Sequence, residues 1–353
     1  MQLSELGLDP WFLEQARERC TPGLQLARVI VVDRGWYIVR NEEGEAAART
    51  TGKFLHTTQS TSDMPCVGDW VCVHYEADNS ATIHSLLPRK SFLRRKSAGK
   101  DIQLQMIAAN IDVAFIVQAC QYDFNVARLE RYLVMAAEGH VEPVLVLTKT
   151  DLVSEEALAH LVAEIRAGGI KARIMALSNV SGQGLEQFKE FMAPGKTYCL
   201  LGSSGVGKST LINRLTGQDT LKTGRVSASG EGRHTTVRRQ LIVLEQGALI
   251  IDTPGMREIG IFVASQGMAD SFADIEELAR SCRFSNCRHS NEPGCALLQA
   301  IQEGTLSPER YDTYQKLNKE SAFNVASHGE KQRKEKTGSK AAPYAGKQKG
   351  KRR

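Results

Sequence analysis

The rhythm of hydrophobic and polar positions changes twice along the chain. Between about residues 24 and 87, short apolar segments alternate with turns that contain Gly, Asn and Asp, a pattern that predicts a small β-barrel or sandwich. Apolar strands then alternate with amphipathic helices, which predicts a parallel sheet covered on both faces. After about residue 260, helical patterns surround a group of Cys and His residues. We therefore predict a multidomain protein with an N-terminal β-barrel, a central α/β domain and a mostly α C-terminal domain.

Composition helps to place the domain boundaries, which we predict at residues 1–100, 101–262, 263–330 and 331–353. The last segment holds ten Lys/Arg and one Glu, so it carries +9 of a chain whose net charge is +5. Because this segment contains few apolar residues, we predict a disordered basic tail. Residues 89–100, RKSFLRRKSAGK, contain six basic residues and no acidic one. We predict a charged linker or loop there.

The expected location is the cytoplasm. No apolar run approaches the length of a membrane span, and the N-terminus lacks the core of a signal peptide. Eight cysteines are spread unevenly along the chain. Without a secretory context this argues against a disulfide framework.

The segment GSSGVGKST fits the phosphate-loop pattern GxxxxGK[ST], between a predicted strand and a predicted helix. Its backbone N–H groups are expected to surround a β-phosphate at the positive end of the following helix. Lys208 is expected to bridge the β- and γ-phosphates and Ser209 to ligate Mg²⁺. The predicted phosphate-binding residues are Gly202, Ser203, Ser204, Gly205, Val206, Gly207, Lys208, Ser209 and Thr210. The alternative, an ordinary Gly-rich turn, is much less favoured in this context.

Two further segments fit a γ-phosphate and Mg²⁺ site. In DTPG, after an apolar strand, Asp252 is a candidate to hold Mg²⁺ through water, and the Gly255 N–H is a candidate γ-phosphate sensor. In GEGRHTT, Thr235 or Thr236 is a candidate second hydroxyl ligand for Mg²⁺. Taken alone, DTPG is also a good turn and GEGRHTT a plain polar loop.

The segment TKTD, comprising Thr148, Lys149, Thr150 and Asp151, follows an apolar strand, where α/β sheets place ligand loops. The Asp151 carboxylate suits guanine, which offers paired N1–H and N2–H donors, and the Lys149 stem can cover the purine face. In the loop ALSNVSGQGL, Ser178 or neighbouring backbone N–H groups are candidates to meet the guanine O6. In isolation, TKTD would more often be a solvated turn with Asp as a helix cap.

The order of these motifs is unusual because the base-binding loops precede the phosphate loop. A parallel sheet only needs its loops at one edge, so the strand order along the chain can be permuted if the old termini lie close together. In this order the chain resembles the RsgA (YjeQ) family of circularly permuted, ribosome small subunit-dependent GTPases. The resemblance implies an OB-fold barrel, a permuted GTPase domain and a C-terminal zinc domain. It also implies the small ribosomal subunit and its rRNA as partners, with a role in late subunit maturation.

Two positions depart from expected patterns. The family commonly has Asn at the position of Thr148, so we expect weaker nucleotide binding with guanine preference retained. Met256 follows DTPG where Ras-like GTPases have a water-orienting Gln, so unaided hydrolysis should be slow. His234, in GRHTT, is then the candidate for positioning the catalytic water once a partner orders its loop. A surface histidine without a role is the alternative.

The segment CRFSNCRHSNEPGC places Cys282, Cys287, His289 and Cys295 in a Cx4CxHx5C pattern. Three thiolates and one imidazole form a closed tetrahedral set, which is typical of one structural Zn²⁺ ion. The alternative is a group of reduced thiols without a metal. The resemblance supports zinc, because the family binds it at these positions.

The function favoured by these features is Mg²⁺-dependent hydrolysis of GTP to GDP and phosphate by a monomer, stimulated by the small ribosomal subunit. RNA binding is favoured by the OB-like domain, residues 89–100 and the basic tail, although each also has a simple solubilising interpretation. A nucleotide-gated RNA clamp with incidental hydrolysis is the main alternative. An ATP-using P-loop enzyme is more remote, because Asp151 selects guanine.

We predict that the protein binds GTP more tightly than ATP, because only guanine offers Asp151 two adjacent donors. Titration of both nucleotides against the purified protein measures this preference. Equal dissociation constants for GTP and ATP would contradict the assignment of Asp151.

Overall fold

The computed structural model describes residues 1–33, 35–58, 60–96, 104–121, 123–217, 239–253 and 265–338. The strands are β1 (Gln25–Asp33), β2 (Trp36–Arg40), β3 (Glu45–Thr50), β4 (Trp70–Tyr75), β5 (Ser80–Leu86), β6 (Phe92–Lys96), β7 (Leu104–Ala109), β8 (Val113–Ala119), β9 (Glu142–Thr148), β10 (Arg173–Ala176), β11 (Thr197–Leu201), β12 (Arg239–Val243) and β13 (Leu249–Asp252). The α-helices are α1 (Pro10–Arg19), α2 (Gly52–Thr57), α3 (Val126–Glu138), α4 (Glu155–Ala167), α5 (Leu185–Phe191), α6 (Lys208–Thr216), α7 (Ser265–Ser271), α8 (Ala273–Arg280), α9 (Ala296–Gln302) and α10 (Pro308–Gly338).

Strands β1 to β5 form the predicted N-terminal barrel. They are ordered β1-β2-β3-β5-β4, and β1 also pairs with β4, which closes the barrel. Alternate side chains such as Val29, Val39, Val71 and Ile83 are fully buried inside it, as expected where one face of each strand lines a core. Strand β3 ends at Thr50, because Thr51 caps α2 by accepting a hydrogen bond from the Phe54 N–H.

The central domain contains the predicted parallel sheet. Its strands are ordered β10-β9-β8-β11-β13-β12, and all pair in parallel except β12 with β13. All seven residues of β8 are buried, as expected for a strand covered on both faces. At the start of α4, the Ser154 side chain accepts a hydrogen bond from the Ala157 N–H and thereby caps the helix.

The barrel and the central domain share one continuous sheet, because β12 pairs antiparallel with β1. Arg28, a fully buried residue on β1, reinforces this connection. Its guanidinium donates to the carbonyls of Leu6, Gly68 and Asn110 and to the Thr197 hydroxyl on β11. Burial lowers the pKa of Arg28 to about 10.

The prediction of a charged linker at residues 89–100 is wrong for its central part. Residues 92–96 form β6, which pairs antiparallel with β7, so the predicted boundary at residue 100 falls between two paired strands. Leu93 is fully buried, and Arg89 binds the Asp69 carboxylate with two hydrogen bonds of 2.8 Å. The basic composition of this segment therefore hid a strand that buries Leu93.

Helices α7 to α10 form the C-terminal domain around Phe272, Ile275, Leu297 and Leu317, all fully buried. Helix α10 extends to Gly338, so residues 331–338 are helical where the sequence predicted disorder. Lys, Arg, Glu and Gln dominate this segment and are good helix formers. The rest of the predicted tail lies outside the described residues. Within the part of the chain that the structure describes, no helix is both long and apolar enough to cross a membrane.

One pair of cysteines forms a disulfide, although the sequence argued against a disulfide framework. Cys20 follows α1 and Cys72 lies on β4, and the two form a disulfide with their Cα atoms 5.4 Å apart. Helix α1 packs on the barrel, with the rings of Phe12 and Trp70 6.0 Å apart. This packing joins two cysteines that are 52 positions apart, a proximity that chain spacing does not reveal.

We predict that Arg28→Ala lowers the free energy of unfolding by about 3 kcal/mol or more, because its loss leaves several buried acceptors unpaired. Chemical denaturation measures the change. Arg40→Ala is the matched control, since Arg40 forms an exposed ion pair with Glu45 and should cost less than about 1 kcal/mol. Similar losses for both variants would contradict the role assigned to Arg28.

Candidate nucleotide site and metal centre

The phosphate loop lies between β11 and α6. Gly202 adopts φ +146°, and a Cβ there would lie 2.3 Å from the Val117 carbonyl oxygen on β8. Gly207, with φ +99°, directly precedes α6. The glycines therefore allow the backbone to press against the neighbouring strand and turn its N–H groups toward the start of α6.

Lys208 and Asp252 are the buried charged groups of this loop region. The Lys208 ammonium donates to the carbonyls of Gly202 (2.8 Å) and Ser203 (2.6 Å), and burial lowers its pKa to about 8. Asp252 ends β13, and burial raises its pKa to about 6 while Lys208 opposes that shift. The next residue, Thr253, is anchored by a 2.6 Å hydrogen bond to the Leu200 carbonyl. Both charges thus lie where phosphate and Mg²⁺ would offset their burial.

The TKTD loop leaves β9 with Lys149 in the left-handed region, at φ 59°. A short 3-10 helix, Thr150–Leu152, follows. The Asp151 carboxylate accepts a 2.5 Å hydrogen bond from the Ser178 hydroxyl in the loop after β10. That hydroxyl also accepts from the backbone N–H groups of Val180 and Ser181. Ser178 therefore orients Asp151, which leaves backbone N–H groups of this loop as the candidates for the guanine O6.

Both base-binding loops contact the phosphate loop. The Thr148 hydroxyl lies 2.6 Å from the Val206 carbonyl oxygen, and the Asn179 Nδ2 lies 3.2 Å from the Gly207 carbonyl oxygen. Thr148 and Val206 are 58 positions apart in the chain. The structure thus brings together the motifs that the sequence presents in permuted order.

Sequence reasoning missed two residues at this site, Asn179 and Arg128. Arg128, in the first turn of α3, donates to the Ser203 hydroxyl of the phosphate loop (3.3 Å) and to the Asp123 carboxylate (2.7 Å). The sequence did offer one signal for Arg128: it follows shortly after β8, and β8 pairs with β11, the strand that leads into the phosphate loop. Asn179 directly follows the predicted Ser178.

Five residues singled out by the sequence lie outside the described part of the chain, whereas Ser204, Gly205, Ser209 and Thr210 lie within the described phosphate loop and the start of α6. The five are the candidate catalytic His234, the candidate Mg²⁺ ligands Thr235 and Thr236, the candidate γ-phosphate sensor Gly255, and Met256. Their roles stay predictions.

The structure does bring the four predicted metal ligands together. The His289 Nδ1 lies 3.5 Å from the Cys282 sulfur and 3.4 Å from the Cys295 sulfur, and these two sulfurs are 3.9 Å apart. The ligand atoms of Cys282, Cys287, His289 and Cys295 all lie within 4.8 Å of one another. In a tetrahedral site with metal–sulfur bonds of about 2.3 Å, two sulfurs lie about 3.8 Å apart. The four residues therefore fit one tetrahedral metal ion.

A buried arginine attaches this C-terminal domain to α3. Arg310 donates to the carboxylates of Glu130 on α3 (2.8 Å) and Asp274 on α8 (2.8 Å). Burial raises the pKa of Glu130 to about 7. Nearby, Arg131 on α3 forms two hydrogen bonds with Glu320 on α10. One face of α3 therefore carries the C-terminal domain, while its first turn contacts the phosphate loop.

This fold and site define the class of protein, a circularly permuted P-loop GTPase. The model of the RsgA GTPase family matches residues 86–262. A protein named small ribosomal subunit biogenesis GTPase RsgA 2, from Lactiplantibacillus plantarum, is 44% identical over 303 residues, covering 85% of this chain and 84% of that protein. A protein named small ribosomal subunit biogenesis GTPase RsgA, from Opitutus terrae, is 39% identical over 334 residues, covering 92% of this chain and 90% of that protein. The chain belongs to the RsgA GTPase family, and its reaction class is GTP hydrolysis.

Solved structures agree with this assignment. The crystal structure of YjeQ from Thermotoga maritima matches with a TM-score of 0.63 and 26% identity, covering 85% of this chain and 99% of that one. The structure of YloQ, described as a circularly permuted GTPase, has the same fold, with a TM-score of 0.58 and 24% identity over 85% of this chain and 95% of that one. The resemblance inferred from the motif order is thus confirmed.

We predict that affinity for GTP with Mg²⁺ is highest between about pH 6 and pH 8. The Lys208 pKa is lowered to about 8, so phosphate binding should weaken as the ammonium is lost above that pH. The Asp252 pKa is raised to about 6, so Mg²⁺ binding should weaken as the carboxylate is protonated below that pH. Dissociation constants measured across this range test both limbs. Asp252→Asn should abolish the acid limb, and a flat wild-type profile would contradict the assignment.

Proposed function

We propose that this protein is a Mg²⁺-dependent GTPase that acts in small ribosomal subunit biogenesis in the cytoplasm. As a monomer it hydrolyses GTP to GDP and phosphate on the small subunit, binds rRNA, and is stimulated by that partner. The observation that carries the proposal is the direct contact of both base loops with the phosphate loop, at Val206 and Gly207. The names of the relatives from Lactiplantibacillus plantarum and Opitutus terrae support the ribosomal role.

In this mechanism the described residues bind and orient the nucleotide. Asp151, held by Ser178, accepts the two guanine donors, and Lys149 covers the purine face. Backbone N–H groups from Gly202 to Thr210 surround the β-phosphate. Lys208 exchanges its carbonyl partners for the β- and γ-phosphates, where its charge stabilises the transferred phosphoryl group.

Mg²⁺, when bound with GTP, neutralises charge that develops on the phosphate oxygens. Ser209 and Asp252 are the described residues that would hold it, with Thr235 or Thr236 supplying a further hydroxyl and Gly255 contacting the γ-phosphate. Met256 has a thioether, which cannot polarise water, so we assign water positioning to His234. This role is proposed for the complex with the small subunit.

Recognition of rRNA rests on fewer basic residues than the sequence suggested. Arg89 is paired with Asp69, Arg94 with Glu138 and Lys90 with Asp9, so much of the segment 89–100 is engaged within the protein. We therefore assign RNA binding mainly to the exposed surface of the barrel and to the ten basic residues of the C-terminal segment.

The C-terminal metal is proposed to be one structural zinc ion. Three cysteines and one histidine at tetrahedral separations suit Zn²⁺ and leave no position open for catalysis. Zinc would stabilise a domain with a small apolar core, because metal binding contributes directly to folding.

Helix α3 provides a physical connection between nucleotide and C-terminal domain. Arg128 contacts the phosphate loop at Ser203, and Glu130, within the same turn, binds Arg310 of the C-terminal domain. We propose that nucleotide-dependent movement at the phosphate loop shifts α3 and thereby repositions the C-terminal domain on the ribosomal subunit.

We predict that purified small ribosomal subunits strongly accelerate GTP turnover and do not confer comparable ATP turnover. His234→Ala should remove most of this stimulation while leaving GTP binding unchanged. Steady-state turnover with and without subunits measures both effects, with Glu186→Ala as an exposed control. A lack of stimulation would favour the nucleotide-gated RNA clamp. Unchanged stimulation in His234→Ala would remove the role assigned to that residue.

We predict that zinc removal by a chelator unfolds the C-terminal domain but changes GDP affinity by less than about threefold. Subunit-stimulated turnover should fall, because the docked C-terminal domain would no longer be held on α3. Zinc content, limited proteolysis and turnover are measured on the same sample, with Cys287→Ser as the genetic equivalent. Full stimulation of a zinc-free protein would contradict the proposed coupling.

A further inference from the structure

The two loops that flank the guanine position are attached to the phosphate loop through different side chains. Thr148, fully buried, uses its single hydroxyl hydrogen on the Val206 carbonyl at 2.6 Å. Asn179, 8% exposed, donates its Nδ2 to the next carbonyl along the chain, that of Gly207, at 3.2 Å. Consecutive carbonyls of one loop are therefore held by residues from two others.

The two side chains flank the same short piece of backbone. A Cβ built on Gly207 would lie 3.0 Å from the Asn179 Nδ2 and 4.0 Å from the Thr148 Oγ1. Gly207 directly precedes α6 and Lys208 is its first residue, where backbone N–H groups are placed to face phosphates. A group that fixes the carbonyl of Gly207 also fixes the peptide plane whose N–H belongs to Lys208.

Asn179 is also attached to α6 through its main chain. The Arg214 Nε, on α6, donates to the Asn179 carbonyl oxygen at 3.1 Å. The loop after β10 is thus joined to the phosphate loop and its helix by one bond from the side chain and one from the backbone of a single residue. Its neighbour Ser178 holds the base-reading Asp151.

The side-chain amide of Asn179 is not fully satisfied within the protein. Its Oδ1 is buried and has no hydrogen-bond partner among the described residues. The orientation of the amide is set by chemistry, because only the nitrogen can donate to the Gly207 carbonyl. Proteins rarely bury an unpaired amide oxygen, so this one requires a partner such as water, an ion or a ligand.

We propose that Asn179 is a positioning residue for the nucleotide. It supplies the buried amide that Thr148 cannot provide. It holds the Lys208 peptide plane in the phosphate-binding orientation and couples that orientation to the loop that supports Asp151. Guanine binding and phosphate binding therefore reinforce each other through Asn179. This inference rests on the proposed nucleotide site.

The test is a double-mutant cycle that moves the amide between the two loops. Asn179→Ala should weaken GDP binding about tenfold, the effect expected for loss of a buried hydrogen bond. Thr148→Asn alone should change affinity less than about threefold. The double variant Thr148→Asn/Asn179→Ala should return to within about threefold of the wild type, because an amide again binds one of the two consecutive carbonyls, here that of Val206. Binding of a fluorescent GDP analogue measures all four proteins.

A second readout separates positioning from stability. With saturating small subunits and varied GTP, Asn179→Ala should raise KM for GTP and leave kcat nearly unchanged, since its effect is on binding. Asn179→Leu keeps a similar size and removes the N–H donors without adding a charge, so it provides the same comparison if the alanine variant is too unstable to purify. Glu186→Ala, which removes an exposed ion pair with Lys189 on α5, should bind GDP normally.

The outcomes are distinguishable from failure of the nucleotide site itself. If Asp151→Asn and Lys208→Ala lose GDP binding while Asn179→Ala keeps it, the site stands and the role of Asn179 is overturned. An equal loss for Asn179→Ala in the wild-type protein and in the Thr148→Asn variant also overturns it, because the amide would then not be interchangeable. If Asp151→Asn and Lys208→Ala bind GDP normally, the proposed site fails, and this inference fails with it.

Discussion

The constraint on which this structure depends is the parallel pairing of β8 with both β9 and β11. Parallel strands end at the same edge of a sheet, so the loops after β9 and β11 must meet wherever they stand in the chain. The Thr148 to Val206 hydrogen bond shows how close this meeting is. Permutation changes which loops are covalently continuous and leaves the geometry of the site intact.

The same sheet also joins the barrel to the central domain. Strand β12 of the central domain pairs with β1 of the barrel. Arg28, on β1, donates hydrogen bonds to groups on both sides of this junction. At the other side, α3 carries the C-terminal domain through Glu130 and Arg310. A buried ion pair of this kind adds little net stability, because the cost of desolvating two charges offsets their attraction.

Much of the fold followed from sequence periodicity, because alternating strands and helices must bury their apolar faces in few possible ways. The errors arose where local composition concealed tertiary context. The basic residues around Leu93 suggested a linker, yet their partners Asp69 and Glu138 lie far along the chain. The Cys20–Cys72 disulfide was not predicted for the same reason, because its two cysteines meet only in the tertiary structure.

The sequence by itself determined the nucleotide class and the candidate metal ligands, because short motifs such as GSSGVGKST and Cx4CxHx5C contain their chemistry within a few residues. Only the tertiary structure decided which side chains support that chemistry. Ser178 proved to hold Asp151, Arg128 to contact Ser203, and Asn179 to bind the Gly207 carbonyl. These contacts join residues from separate strands, and no local pattern specifies a hydrogen bond whose two partners meet only when the sheet assembles.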